Sequence, residues 1–394
     1  MPYTNKEAIN ILTISQTILK FCCLIPIDGL SKKANLYLIL LSNVYVSMFA
    51  ATAIAMMVYQ FAVGIEDVYA TVECVISFFD YISFVYISVI WFTGKKADVK
   101  KIFKDINTFL KFCEVAVIKE AEDKVHFYSK LLTIYFCFGI TLNGLLPVIN
   151  IQNCHSNRAL ELYQKYDPCG SIVRSLYPFD TRGAVRTFSL NLAMIITSCF
   201  ICFGFLGVTM VLIGLFIHII AQSHNLNKKL VIAFDEKNED KMEENLMTCI
   251  GYHRAIISYA ERVFDVFKLL ILVHISITSM IFGLILFFIL KLESYADKLR
   301  YMAHLTGWLV LLFITCFYGQ CITDKSAFTA NAAYSSAWYK APIRLQKSLQ
   351  LIILRSQRPL ALKSETFGVI SLVTFLMVVK GAYSFFTVMI TVSE

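Results

Sequence analysis

Cys199 and Cys202 form a Cys-x-x-Cys pair, the nearest approach in this sequence to a metal or redox motif. The pair lies inside a long apolar run, where a thiol serves as a small hydrophobe, so no metal is expected there. The ionisable residues inside apolar runs are few: Glu73, Asp80, Lys130, His218, His274 and Lys380. No His-x-x-Glu and no paired carboxylates join them, so the pattern excludes hydrolytic and acid–base enzymes and calls for no cofactor. Asp80 is the best single candidate for function, although such a residue more often bonds a neighbouring tyrosine or the backbone. The last apolar run differs. Lys380, Ser384, Thr387 and Thr391 are spaced by four, three and four residues, which puts them on one helix face, opposite Phe375, Val378 and Phe386. Polar groups in an apolar helix are costly unless they face protein or water. The stripe therefore marks a water-lined or inter-subunit face, or else a seam between packed helices.

The elements that carry these residues are long. Hydrophobic residues make up 57% of the 394 and charged ones only 16%, against roughly 45–50% and about 25% in soluble domains. Seven runs are long enough to cross a bilayer as helices, near 34–63, 68–93, 126–151, 188–221, 267–290, 305–323 and 366–390. Lys and Arg concentrate in the amino-terminal segment and after the second, fourth and sixth runs, which places the amino terminus in the cytosol and the carboxyl terminus outside. The net charge of +8 is thus a topology signal and implies no nucleic-acid partner. The fold class is an all-α integral membrane protein with seven transmembrane helices, a cytosolic amino terminus and a cytosolic helical anchor layer.

Residues 1–33 read as an amphipathic cytosolic or interfacial segment, with Lys20 interrupting its apolar stretch and no signal-peptide cleavage site following. Residues 34–323 hold six spans and their helical extensions, since Ile102, Phe103, Ile106 and Leu110 keep helical spacing below the second span. The stretch 224–267 also reads as helix, interrupted at 235–244. Of the twelve cysteines, Cys74, Cys137, Cys199, Cys202, Cys316 and Cys321 sit in apolar runs. Cys154 and Cys169 share one polar loop placed outside the cell, where a disulfide between them could persist. No internal repeat is visible, which argues against an inverted-repeat transporter.

Residues 324–365 contain an amphipathic helix over 338–355. Leu345, Leu349, Ile352 and Ile353 share a face, and Pro359 ends it. It reads either as a membrane-surface helix or, the preferred reading, as a subunit-assembly helix, with Tyr334, Trp338, Leu345, Leu349 and Ile352 as anchor residues. Residues 366–394 are the seventh span and a short outer tail.

Three tracts resemble the carboxyl-terminal signature of insect odorant receptors: the run from Ala333 to Tyr339 (AYSSAWY), the run from Leu354 to Leu360 (LRSQRPL), and the ending from Lys380 to Met389 (KGAYSFFTVM). The resemblance implies a subunit of a four-fold, odorant-gated, non-selective cation channel in the plasma membrane of a sensory dendrite. In that family the last helix lines one central pore, and tuning subunits work with a shared co-receptor. The short gap before the fifth span and an ending without an aliphatic constriction indicate a tuning subunit. Thr387 and Thr391 would fall at the constriction, with Lys380 and Ser384 also lining the pore.

The family places its ligand, a small volatile and mostly apolar molecule, in the outer half of the bundle between the second, third, fourth and sixth spans. There this sequence offers Phe78, Phe79, Ile82, Phe136, Gly139, Asn143, Met194, Ser198 and Trp308. Asn143 and Ser198 could bond a ligand oxygen, and Gly139 leaves room. Two alternatives share the seven spans. A gustatory receptor of the same superfamily would answer to non-volatile tastants. A G-protein-coupled receptor would have its amino terminus outside, and the Asp-Arg-Tyr and Asn-Pro-x-x-Tyr motifs are missing.

Overall fold

The structure is a computed structural model that describes residues 11–63, 68–149, 151, 165–292, 294–364 and 368–393. Seven helices among these residues are long and apolar enough to cross a membrane. Helix α1 (Thr13–Phe21) is short. Helices α2 (Lys32–Val63) and α3 (Val68–Val85) are the first two spans. A π-helical turn (Tyr86–Trp91) leads from α3 into α4 (Phe92–Asp105). Then come α5 (Val115–Ile149), α6 (Ala184–Val231), α7 (Glu239–Lys291) and α8 (Tyr295–Tyr334). Helix α9 (Ile343–Ser356) and the final span α10 (Leu372–Ser393) follow.

Helix α6 is the hub, packed against α1, α2, α3, α5, α7 and α8. Its sequence explains this position. It is apolar all round, as a helix surrounded by others must be, and glycines let neighbours approach closely. A Cβ on Gly207 would stand 2.8 Å from Leu19, and one on Gly214 would stand 2.2 Å from Leu12. These glycines are two turns apart and form a groove that seats α1. The amphipathic amino-terminal segment therefore spends its apolar face on the bundle, burying Leu12, Ile18, Leu19 and Cys22.

A buried carboxylate fixes the entry to that groove. Glu122 on α5 accepts the Leu12 backbone N–H through both oxygens (3.2 and 3.0 Å) and meets His218 Nε2 on α6 at 2.7 Å. Leu12 itself sits in the left-handed region at φ +55°. His218, which no His-x-x-Glu spacing joins to a carboxylate, is thus paired by a residue 96 positions away.

Below the membrane α6, α7 and α8 run on as continuous helices beyond the lengths needed to span. Phe112 stacks on Tyr252 (5.1 Å between ring centroids), Phe109 meets Tyr259 edge-on (5.3 Å), and Arg262 pairs with Asp105 at 3.1 Å. The break between α6 and α7 is closed by Asn238, whose side chain accepts the Asp240 N–H at 2.8 Å.

Two expected boundaries are corrected. The helix expected over 338–355 starts at Ile343, because Pro342 forces an extended residue there and only a 3-10 turn (Trp338–Lys340) precedes it. The last span, expected from 366, begins at Leu372. Before it, Lys363–Ser364 pair with Gly368–Val369 in a two-strand turn, and Gly368 takes φ +69°.

Candidate ligand cavity and last helix

A cavity of about 190 Å³ lies among the outer halves of α2, α3, α5, α6 and α8. Along α3 the residues Glu73, Ser77 and Asp80 recur at helical spacing and face it, with Phe78 and Tyr81 flanking. Helix α5 adds Tyr135, Phe136, Gly139 and Asn143. Met194, Ser198 and Phe205 come from α6, and Tyr301, His304 and Trp308 from α8.

Of the nine residues singled out from sequence, Phe78, Phe136, Gly139, Asn143, Met194, Ser198 and Trp308 line the cavity. Phe79 and Ile82 do not. They lie three residues apart on another face of α3, where Phe79 packs into the core and Ile82 is exposed. Sequence reasoning missed Tyr81, Tyr135, Phe205, Tyr301 and His304, and it missed that α2 contributes Phe49 and Ala53. Single aromatic residues in an apolar run carry no signal of direction, so only the face spacing of Glu73, Ser77 and Asp80 could have pointed there.

Ile172, Val173 and Ser175 of the outer loop line the top of the cavity. Arg174 Nε binds Asp167 at 2.8 Å, and the Ser175 N–H reaches the other Asp167 oxygen at 3.3 Å. Leu176 N–H bonds the Thr52 carbonyl at 3.1 Å, which ties the loop to α2. Glu73 is the central knot. Arg300 Nη2 approaches it at 2.8 Å, the Tyr301 hydroxyl donates to it, and the Arg174 N–H donates at 3.4 Å. Arg300 also donates to the Ile172 carbonyl at 3.2 Å. A pair this buried holds because hydrogen bonds reach both partners, although Arg300 Nε is left without one. Cys169, in the same loop, is disulfide-bonded. Cys154 lies outside the described residues. At the loop's exposed end, Arg182 beside Asp180 holds that carboxyl down at about 2.

The cavity floor is aromatic. Trp308 meets Phe205 edge-on at 4.8 Å and His274 at 5.7 Å between centroids, which joins α8, α6 and α7. His274 is buried and carries no metal-ligand neighbours. Among the described residues no group of His, Cys, Asp and Glu could hold a metal ion.

Helix α10 packs against α7 and α8. A Cβ on Gly283 would stand 2.6 Å from the Phe385 ring, and one on Gly319 would stand 2.6 Å from the Ile370 carbonyl oxygen, so both contacts require glycine. Thr374, Val378 and Ala382 are buried, whereas Lys380, Ser384 and Thr391 are exposed and Thr387 is half-buried. The stripe's hydroxyls bond back along their own helix: Ser384 to the Lys380 carbonyl (3.0 Å), Thr387 to Ser384 (2.8 Å) and Thr391 to Thr387 (3.0 Å). The side of α10 that carries the stripe also exposes Leu376, Met377 and Val388.

The anchor residues divide. Leu345, Leu349 and Ile352, expected to meet another subunit, are buried within the chain against its own helices. Their apolar face is satisfied internally, because α9 folds back on α8 and α7. Tyr334 is exposed and Trp338 half-buried, and the outward apolar residues of α9 are Ile343, Leu351 and Leu354.

A bundle of seven helices long and apolar enough to span a membrane, around an aromatic-walled cavity, is the architecture of a multi-pass membrane protein. Residues 70–383 match the family model for the 7tm odorant receptors, and the chain belongs to that family. It is 31% identical to odorant receptor 67c of Drosophila melanogaster over 155 residues, which are 39% of this chain and 38% of that one. It is 21% identical to putative odorant receptor 69a, isoform B, of the same species over 287 residues, 69% of each chain. The chain thus aligns with under two fifths of the length of the first of these relatives. The fold is also that of the olfactory receptor OR5 from Machilis hrabei in complex with eugenol, with a TM-score of 0.78, 15% identity and 97% of each chain covered. A second structure of the same receptor superposes with a TM-score of 0.74 at 13% identity, covering 96% of this chain and 97% of the other.

Proposed function

We propose that this chain is the odorant-binding, tuning subunit of a ligand-gated, non-selective cation channel in the plasma membrane, working with co-receptor subunits in a four-subunit assembly. The observation that carries the reading is the cavity with its aromatic floor, within a chain of the odorant-receptor family. Its 190 Å³ suits a small volatile: an apolar protein cavity of about 150 Å³ holds benzene. The structural relative solved with eugenol accords with a ligand of this size.

The gating route follows from one helix. The outer half of α8 supplies Tyr301, His304 and Trp308 to the cavity. A turn further in, Phe313 meets Phe375 of α10 edge-on at 5.4 Å, and Gly319 seats Ile370. A ligand that shifts α8 therefore shifts the seat of α10. It moves the equilibrium only by its difference in affinity between closed and open states. The stripe Lys380, Ser384, Thr387 and Thr391 faces the pore, where threonine hydroxyls form a weaker dewetting barrier than aliphatic side chains. Tyr334, Trp338 and the outward face of α9 supply the subunit contacts, and a Cys154–Cys169 disulfide staples the outer loop.

Whole-cell recording from cells that express this chain with an odorant co-receptor, and from cells that express it alone, tests the reading. Volatile-evoked cation current that needs no G protein is expected only with the co-receptor. Current abolished by G-protein block would overturn the channel reading.

A further inference from the structure

The cavity's polar groups are unevenly spent. Its hydrogen-bond donors are largely committed to the protein itself. The Tyr81 hydroxyl donates to Ser47 Oγ (3.0 Å), Tyr135 to the Ala303 carbonyl (2.6 Å) and Thr197 to the Ala193 carbonyl (3.0 Å). Asn143 Nδ2 donates to the Gly139 carbonyl at 2.9 Å, and Tyr301 to Glu73. The Trp308 indole N–H donates to His304 Nε2 at 3.0 Å. That last bond fixes the proton on the other ring nitrogen of His304, since an Nε2 that accepts carries no hydrogen.

Among the described residues the Ser77 and Ser198 hydroxyls and the Asn143 side-chain oxygen make no hydrogen bond to the protein, and of the two carboxyls it is Asp80 that stands open. Its Oδ1 is buried and has no hydrogen-bond partner. Its Oδ2 lies 3.6 Å from the same His304 Nε2 that Trp308 already occupies, so no proton bridges that gap. Glu73, two turns away on the same face of α3, is by contrast bonded to Arg300, Tyr301 and Arg174. One carboxyl lining the cavity is fully partnered, whereas the other, which keeps 18% of its side-chain surface, has no hydrogen-bond donor on either oxygen among the described residues. In either protonation state Asp80 keeps at least one oxygen that can accept. Burying such a group without a partner is costly, so a ligand that completes it gains specificity as well as affinity.

We infer that this cavity selects volatiles carrying a hydrogen-bond donor, an O–H or N–H, and that Asp80 is the acceptor that reads it. The inference rests on the cavity being the ligand site of the proposed channel. The donor sits on a small body, a single ring or a short chain, which the cavity volume admits, with Trp308, Phe136 and Phe78 against its apolar surface.

Matched pairs test this on the full chain expressed with a co-receptor subunit. The probes are 2-phenylethanol, 4-ethylphenol and 1-hexanol, each against its methyl ether, together with 2-phenylethylamine and the donor-free phenylacetaldehyde. Methylation removes the donor and leaves the body. The hydroxyl compounds or the amine should activate at concentrations at least about tenfold below their donor-free counterparts. Comparing the amine with 2-phenylethanol tells which donor the site prefers. In Asp80→Leu the ratio of alcohol to ether potency should fall toward one. Asp80→Asn keeps an acceptor oxygen and adds an N–H, so it should gain response to phenylacetaldehyde. This second variant serves if Asp80→Leu does not reach the surface. Equal potency of alcohol and ether, activation by donor-free volatiles alone, or a preference that survives in Asp80→Leu would overturn the inference and leave the channel reading intact. Silence toward every volatile, with both subunits at the surface and the co-receptor active, would instead remove the channel reading and the inference with it.

Discussion

Phe313 and Phe375 meet edge to face with ring centroids 5.4 Å apart, and this contact joins the helix that walls the cavity to the helix that carries the polar stripe. Such pairs contribute about 0.5–1.5 kcal/mol beyond the area they bury. If it transmits ligand binding, Phe313→Ala should lower the maximal odorant-evoked current while leaving the surface level unchanged. An unaltered concentration–response curve would show that the route lies elsewhere.

Gly283→Val places a branched side chain where Phe385 and the Ala382 carbonyl already lie, at 2.6 and 3.1 Å from a Cβ. The last helix must then move off α7. Standing current without ligand, or loss of surface expression, is the expected result, and Gly381→Ala, where nothing stands within 4 Å of a Cβ, is the control. Wild-type currents from Gly283→Val would show that α10 does not need this close approach.

The amino-terminal helix is held by a groove and a carboxylate. Gly214→Val overpacks the groove against Leu12 and should destabilise the receptor by about 1–3 kcal/mol. Glu122→Leu removes the acceptor of the Leu12 N–H and the partner of His218, and should lower the thermal midpoint in detergent as well. A midpoint unchanged in both variants would mean that α1 contributes nothing to the bundle's stability.

His253, in the cytosolic half of α7, is pushed down to about 4 by burial, with Arg355 adding to the effect. The folded state therefore disfavours its protonation. Its contribution is complete above the ordinary histidine value of about 6.5 and is lost as pH falls from there toward 4. The purified receptor should lose thermal stability over that window, and His253→Gln should flatten the loss. A profile identical in wild type and variant would assign the acid sensitivity to other groups.

Much of this architecture was legible in the sequence, because crossing a bilayer imposes length and hydropathy on every span and charge bias on every gap. The stripe from Lys380 to Thr391 was legible for the same reason: polar residues in an apolar helix stand out, and their spacing fixes a face. The cavity was only half legible. Phe78 and Phe79 are neighbours of the same type, and which one faces inward depends on helix rotation, which composition does not record. The Glu122–His218 pair and the burial of Leu345, Leu349 and Ile352 inside the chain were hidden because they depend on helices distant in sequence. Pro342 was a readable stop signal, and it moves the start of α9 to Ile343.

The π-helical turn at Tyr86–Trp91 separates the cavity-lining face of α3 from the cytosolic helix α4. A residue added to or taken from a helix rotates everything beyond it by about 100°. The wider turn absorbs such a phase slip within one segment. The angular setting of Glu73, Ser77 and Asp80 toward the cavity is thereby offset in phase from that of Ile102 and Ile106 toward the cytosolic layer.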